Sequence, residues 1–471
     1  MTALWTAAEA DSATGGASTR AWQADGVSID SRSLARGDLF VALAGPRGDG
    51  HDFLGDAFAS GASAAVVHRR PPGSDNELPL LIVRDTMAAL GDLGAAARKR
   101  SGARIVAVTG SVGKTGTKEA LHQALGRLGP THASSGSLNN HWGVPLSLAR
   151  MPRDARFGVF ELGMNHPGEI EALSKLARPH VALITTVEPA HLGFFPSVAA
   201  IADAKAEIFR GMGKDGAAVL NRDNEWYGRL ETAARDAGLS RILSFGAHDA
   251  AAVRLVDCHL HATASAVTAS VEGEMVEYCI GAPGRHLVMN SLGVLGVVRA
   301  LGGDVVAAAA AFAKLAPLDG RGRRYRIAAG KGEGELIDES YNASPASIRA
   351  AIAVLASSKP GPGGRRIAVL GDMLEMGDDA PAIHAALAEP LAEAGIDLVF
   401  TVGAAMAALD RALPKATRGG HESDAVAMAA RVAAALRPGD VVSVKGSRGV
   451  RMDKIVSRLT AIPAPPPAAK G

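Results

Sequence analysis

The chain has 471 residues, 47% hydrophobic and 21% charged, with a formal net charge of +2 and only 4% aromatic residues. That length exceeds one ordinary core and predicts about two to four domains. The balanced charge and scarce aromatics exclude the basic footprint and the stacking platforms of a nucleic-acid binder.

Two cysteines, Cys258 and Cys279, make neither a disulfide framework nor a metal-ligand spacing. The opening MTALWTAAEADSATGG lacks a basic segment followed by an apolar one, so no signal peptide is expected. No apolar run reaches the roughly 18 residues that a membrane helix needs. A soluble cytoplasmic protein is expected, with no membrane and no nucleic acid among its partners.

Taken in chain order, residues 1–102 carry short apolar runs, Asp38–Leu43, Ala64–Val67 and Leu80–Val83, between Gly/Asp-rich loops. A second block, 103–318, starts with the apolar run Ile105–Val108. Further runs follow at Gly158–Glu161, Val181–Val187 and Ala217–Leu220, alternating with amphipathic helices. Apolar runs without in/out alternation predict a buried parallel sheet flanked by helices. The Ala-rich Val305–Ala313 reads as a helix. The stretch LAPLDGRGRRYR, Leu315–Arg326, rich in Gly, Pro and Arg, reads as a hinge. A third block, 319–471, has runs at Gly334–Ile337, Ile367–Leu370, Leu398–Val402 and Val441–Val444, and ends in a Pro/Ala-rich tail expected to be disordered. The fold class is therefore α/β in three domains: a central P-loop-type parallel sheet with flanking helices, and a C-terminal Rossmann-like domain.

The stretch VAVTGSVGKTGTKEAL joins a strand to a helix through Gly110, Ser111, Val112, Gly113, Lys114, Thr115 and Gly116. It is shorter than the usual G-x-x-x-x-G-K-[ST] loop, reading G-x-x-G-K-T. The physics is the same. Backbone N–H groups at a helix N-terminus cradle phosphates, Lys114 reaches the terminal phosphates, and the Thr115 hydroxyl suits Mg²⁺. Glu161 ends a neighbouring strand, where ligands gather in open parallel sheets, and is a candidate for Mg²⁺ or for a base. His191 lies in the loop EPAHLGFFPS beyond another strand. Ser197 is a candidate N-cap for the helix that carries Lys205. On spacing alone, a lone loop histidine such as His191 is more often structural, and a helix lysine such as Lys205 is usually solvated.

TGSVGKT, ELG at 161–163, EPAHLGFFPS, AKAEIF at 204–209 and GRHLVMNSLG at 284–293 occur in that order. This series resembles the Mur ligase superfamily, ATP-dependent amide ligases of bacterial cell-wall precursors that share the shortened loop. The stretches DSRSLARGDLFVALAGPRGDGHDF, SLNNHWGVPLSL, IDESYNASPAS, VLGDMLEMG and VKGSRGVRMDKIV resemble the branch that joins D-alanyl-D-alanine to UDP-N-acetylmuramoyl-tripeptide. Another ligase of the superfamily, adding a single amino acid, is the alternative. A GTPase is disfavoured, since no N-K-x-D stretch is present.

The resemblance implies ATP and two Mg²⁺ sites. It implies Thr115 and Glu161 at the first metal, and His191 and a carbamylated Lys205 at the second. Asn290, Arg321, Asp338 and Tyr341 would meet the nucleotide. Ser31, Arg32, Asp49, Gly50 and His51 would meet the UDP-sugar, Asn139 and Asn140 the peptide or the sugar, and Asn342 the tripeptide or the dipeptide. Lys445 and Arg448 would pair a substrate carboxylate. The family pattern departs at Ser137, where an Asn is usual, at Gly116, and at Glu339. A monomer is expected.

Overall fold

A computed structural model describes residues 3–45, 48–71, 78–190 and 192–461. His191 and the Pro/Ala-rich tail lie outside the described residues.

Three α/β units follow one another along the chain. The first is a five-stranded sheet in the spatial order Ala17–Ser18, Leu80–Ile82, Ala64–Val67, Asp38–Val41, Gly26–Ser28, parallel except for its first edge strand. Its core is not its own: Leu146 and Ala149, from helix Gly143–Ala149 of the next unit, pack among Trp5, Leu39, Val66 and Leu90. Trp5 Nε1 donates to Ala149 O at 2.9 Å, and Arg150 Nε donates to Val27 O at 2.5 Å. The first unit is thereby fixed against the second.

The central sheet has nine strands. Their order is Thr131–Ala133, Phe157–Glu161, Arg104–Thr109, Val181–Ile184, Ala217–Asn221, Arg241–Gly246, Val253–Leu260, Ser265–Val271, Glu274–Ile280. The first seven run parallel. From strand Arg104–Thr109 the chain first builds Thr131–Ala133 and Phe157–Glu161 on one side and then Val181–Ile184 and Ala217–Asn221 on the other, so the winding reverses beside this strand. Ligands of open α/β sheets gather at such a point. The expected central parallel sheet is present, and Ser265–Val271 and Glu274–Ile280 extend it with an antiparallel meander. Glu272 and Gly273 link its last two strands with φ of 50° and 91°, the backbone of a two-residue hairpin turn.

The third sheet runs Arg323–Ala329, Gly332–Glu339, Val441–Lys445, Arg366–Gly371, Leu398–Val402, Arg418–Glu422, parallel apart from the antiparallel first pair. The expected hinge, Leu315–Arg326, is therefore partly a strand. Its arginines are used there: Arg324 pairs with Glu335 at 2.8 Å, Arg323 with Asp319, and Arg326 with Glu333. The Ala-rich helix is also shorter than expected, Val305–Ala309 followed by a 3-10 turn at Phe312–Lys314. Among the described residues no helix is long and apolar enough to cross a membrane.

Candidate active site

The strand Arg104–Thr109 delivers the chain to the loop that opens helix Lys114–Gly126. Gly110 has φ +148°, and a Cβ there would lie 1.9 Å from Thr185 Oγ1. That hydroxyl donates to Val112 O at 2.6 Å and so braces the loop from the adjacent strand. Gly113 has φ +85°, and a Cβ there would come within 2.9 Å of Asn290 Nδ2. Both glycines are demanded by conformation and by close approach. The same contact places Asn290, on helix Arg285–Ala300, directly over the loop. Ser111 Oγ and Glu188 exchange hydrogen bonds, tying the loop to the segment after strand Val181–Ile184. Gly116 has open space around it.

Lys114 Nζ curls onto Gly110 O at 2.6 Å. Burial lowers its pKa; Glu161 opposes that shift and Arg321 adds to it. Thr115 Oγ1 donates to Glu161 Oε2 at 2.8 Å, and Asn139 Nδ2 donates to Glu161 Oε1 at 2.7 Å. Ser137 Oγ stands 3.4 Å from Thr115 Oγ1, so the hydroxyl that replaces the usual Asn still faces the site. The Glu161 carboxylate is thus oriented through both oxygens at the C-terminal end of its strand.

Lys205 lies on helix Val198–Ala206, whose N-cap Ser197 accepts from Ala200 N–H as the sequence suggested. Its side chain is buried and has no hydrogen-bond or ion-pair partner among the described residues. Burial first, and the nearby Lys114 second, hold its pKa well below 10.5. Among the described residues no group of three or more His, Cys, Asp or Glu could hold a metal unaided. The donors at hand, one hydroxyl and one carboxylate, fit Mg²⁺, which keeps waters and takes phosphate oxygens rather than filling a protein cage.

The third unit faces this loop. The Arg321 guanidinium lies 4.2 Å from the Tyr341 ring centroid, and Arg448 lies 5.6 Å from it. Asp338, expected to meet the nucleotide, is occupied by its own chain: Oδ2 accepts from Gly320 N–H at 3.1 Å, and Oδ1 from Ser340 N–H and Oγ. It fixes the segment that carries Arg321. Lys445, expected to pair a substrate carboxylate, is also used internally. It donates to Asn342 O at 2.8 Å and sits 3.7 Å from Glu339. Burial lowers the Lys445 pKa and raises that of Glu339, each opposed by attraction to the other. A cavity of about 200 Å³ lies beside them, lined by Ala190, Asn342, Leu374, Met376, Ser447 and Arg448 among others. Gly193 N–H donates to Glu375 O at 2.9 Å across the same interface.

In the first unit, Ser31 is buried, whereas Arg32 is exposed and paired with Asp30. Asp49 accepts from His51 N–H and contacts His51 Nδ1 at 2.6 Å and Arg69 at 2.7 Å. These contacts, the His51 N–H foremost after allowing for burial, hold its carboxyl far below the usual range. Gly50 packs on Ala42 and Leu43, where a Cβ would meet backbone at 2.7 Å. Asn140 Oδ1 accepts from Gly143 N–H at 2.9 Å, at the start of helix Gly143–Ala149. Two residues were missed by sequence reasoning. Arg69 completes the Asp49 cluster, and Lys118 is buried one helical turn beyond Lys114.

Three family profiles match in order: the Mur ligase family catalytic domain over 23–111, the Mur ligase middle domain over 108–298, and the Mur ligase glutamate ligase domain over 323–448. The chain is 36% identical to the UDP-N-acetylmuramoyl-tripeptide–D-alanyl-D-alanine ligase of Escherichia coli (strain K12), covering 92% of this chain and 93% of that protein. It is 33% identical to the ligase of that name from Rickettsia prowazekii (strain Madrid E), covering 91% and 94%. The crystal structure of MurF from Acinetobacter baumannii superposes with a TM-score of 0.83 at 31% identity, over 97% of this chain and 99% of that one. MurF ligase from Thermotoga maritima, solved in complex with ADP, gives a TM-score of 0.75 at 27% identity, over 93% and 97%. Full-length collinear similarity at this level leaves one assignment: the chain belongs to the Mur ligase family.

Proposed function

We propose that this chain is an ATP-dependent ligase joining D-alanyl-D-alanine to UDP-N-acetylmuramoyl-tripeptide. The observation that carries the reading is a convergence of cations from two units on one cleft. Lys114 and Lys205 come from the central unit, and Arg321 and Lys445 from the third. Lys205 feels Lys114, Lys114 feels Arg321, and Arg321 acts on Lys445. Repelling cations gathered in a poorly hydrated place have one economical use, which is to bring two anions together. A triphosphate and a carboxylate are such a pair.

The substrate carboxylate attacks the γ-phosphorus. The bond from that phosphorus to the β,γ-bridging oxygen breaks, ADP departs, and an acyl phosphate remains. The amine of the dipeptide then attacks the acyl carbon, loses a proton, and expels inorganic phosphate as the amide forms. Lys114 and the loop N–H groups hold the β- and γ-phosphates. Thr115 and Glu161 would hold Mg²⁺, with His191 and a carbamylated Lys205 at a second ion; bound Mg²⁺ supplies charge neutralisation for the phosphates. Asn290 covers the loop on the adenine side, and Arg321 approaches the phosphates from the third unit. The neutral amine favoured at Lys205 is the form that combines with CO₂.

The cavity beside Asn342 and Arg448 suits the acceptor. The Arg448 guanidinium has no carboxylate partner among the described residues and can pair the dipeptide carboxylate, while Leu374, Met376 and Ala190 offer contacts for methyl groups. The Asp49–His51–Arg69 cluster, with Ser31 and Gly50, is taken as part of the UDP-sugar site. Boundaries near residues 102 and 318 and action as a monomer in the cytoplasm complete the reading.

The test is phosphate release from ATP and Mg²⁺ with UDP-N-acetylmuramoyl-tripeptide, with and without D-alanyl-D-alanine. Release that requires the dipeptide, with a pentapeptide product by mass, is expected. Release driven by a single amino acid would overturn the acceptor assignment.

A further inference from the structure

Lys118 is the most deeply buried cation of the central unit, 0% exposed. It sits on the phosphate-loop helix three residues beyond Thr115 and three before Leu121, on the helix's buried face. Its Nζ donates to Ser134 O at 2.6 Å and Gly136 O at 3.0 Å, and pairs with Glu119 Oε1 at 2.5 Å. All three N–H donors of the ammonium are used, as burial of a charge demands. A buried ion pair adds little net stability over an apolar residue of the same volume. A lysine here therefore calls for a use other than filling space.

The two carbonyls belong to the segment between strand Thr131–Ala133 and helix Gly143–Ala149. The same segment presents Ser137 to Thr115 and Asn139 to Glu161. Ser134 Oγ also faces the Glu161 N–H at 3.4 Å, and Gly163 N–H donates to Asn139 O at 2.8 Å. Apart from these contacts the segment is exposed at Ser135 and Gly136. Without the ammonium, the 3.4 Å contact between Thr115 and Ser137 would be left to hold it from the helix side.

We propose that Lys118 is a positioning residue of the nucleotide–metal site. By clamping the Ser134 and Gly136 carbonyls, it holds Asn139 and Ser137 where they orient Glu161 and Thr115. This rests on the reading of Thr115 and Glu161 as Mg²⁺ ligands.

The test uses the full chain with ADP and Mn²⁺. Metal affinity is read from the EPR signal of free Mn²⁺, alongside the melting temperature and the Kd of ADP without metal. Lys118→Met is expected to weaken Mn²⁺ by about tenfold or more, with metal-free ADP binding within about twofold of wild type. Glu119→Gln leaves both carbonyl bonds in place and is expected to bind Mn²⁺ as wild type does. Lys118→Arg keeps the buried cation and serves if the methionine variant does not fold. Its loss of Mn²⁺ affinity is expected to vanish in an Asn139→Ala background, because both changes act through one contact. Additive losses would overturn the proposal, as would a lower melting temperature with Mn²⁺ affinity unchanged. If Glu161→Gln weakens Mn²⁺ and the Lys118 variants do not, the positioning role alone falls. If Glu161→Gln has no effect either, the metal reading fails and takes this one with it.

Discussion

Thr115 Oγ1 and Glu161 Oε2 are joined by a 2.8 Å hydrogen bond between the first turn of the phosphate-loop helix and the end of the neighbouring strand. Both side chains are buried. Thr115→Val keeps the shape but leaves that carboxylate oxygen without its donor. A lost ligand and a misdirected one together are expected to lower kcat/KM at least about 100-fold and to raise the Mg²⁺ concentration for half-maximal rate. Thr115→Ser, which restores the hydroxyl, is expected to recover most of the rate. A Mg²⁺ titration of the two variants decides it, and equal defects in both would remove Thr115 from the metal site.

Gly110→Ala tests the loop rather than the metal. The added Cβ would stand 1.9 Å from Thr185 Oγ1 at a φ of +148°. The loop must shift, and the Thr185 bond to Val112 O goes with it. The KM for ATP is expected to rise about tenfold or more, with a loss of about 1–3 kcal/mol in stability from the strained backbone. Thr185→Ala in the same chain relieves the clash but not the φ, so only partial rescue is expected. Full rescue would mean that sterics alone, and not backbone conformation, required glycine.

Lys205 gives a pH signature. Its folded pKa lies well below 10.5, through burial first and Lys114 second. Between the folded value and 10.5 the unfolded chain binds the proton that the folded chain has shed, so stability rises with pH across that window. In CO₂-free buffer, the melting temperature of wild type relative to Lys205→Met is expected to climb from neutral pH up to about 10.5 and then level off. A difference that stays flat with pH would mean that Lys205 is protonated in the folded state, and it would remove the basis for carbamylation.

Parts of this arrangement were plain in the sequence for a physical reason. A strand buried on both faces must be apolar throughout, so Ile105–Val108, Gly158–Glu161 and Val441–Val444 stood out, and a Ser before an apolar helix marked Ser197 as a cap. The meander at Ser265–Ile280 did not stand out. Its inward positions alternate with exposed ones, and small Ser, Ala and Thr residues blur the contrast. The Glu272–Gly273 turn was the available signal. Lys118 was illegible because its partners, the Ser134 and Gly136 carbonyls, arrive from a different segment, although its spacing from Thr115 and Leu121 put it on the helix's buried face. Asp338 shows a different limit. The sequence places it past a strand end, whereas it lies within strand Gly332–Glu339, where its carboxylate also fixes the turn at Gly320.

His180 carries a second pH effect, remote from chemistry. Its Nδ1 accepts from the Ile105 N–H at 2.8 Å at the start of the phosphate-loop strand. Burial, with Arg98 and Arg104 adding to it, lowers its pKa from 6.5 to about 4. The unfolded chain takes up a proton near pH 6.5 that the folded chain refuses until about pH 4. Stability is therefore lost as pH falls through that interval. His180→Asn, whose Oδ1 can accept the same N–H, is expected to reduce the slope of the melting temperature over this range, leaving the share of His286, whose pKa burial also lowers to about 4, without changing the KM for ATP. An unchanged slope would place the acid sensitivity elsewhere.

Tyr341 holds two guanidiniums from different loops, Arg321 at 4.2 Å and Arg448 at 5.6 Å from its ring centroid. One arginine is assigned to ATP phosphate and the other to the acceptor carboxylate. The ring therefore couples the two ends of the reaction physically, through cation–π attraction worth about 0.5–2 kcal/mol per pair. Tyr341→Phe keeps the π face and is expected to leave both KM values within about twofold. Tyr341→Ala frees both side chains, and the KM for ATP and for D-alanyl-D-alanine are expected to rise together, each by about 3- to 30-fold on the same energy scale. A rise in only one of them would assign the ring to that arginine alone. A defect in Tyr341→Phe as large as in Tyr341→Ala would shift the role from the ring to the hydroxyl, and with it return Tyr341 to direct contact with the nucleotide.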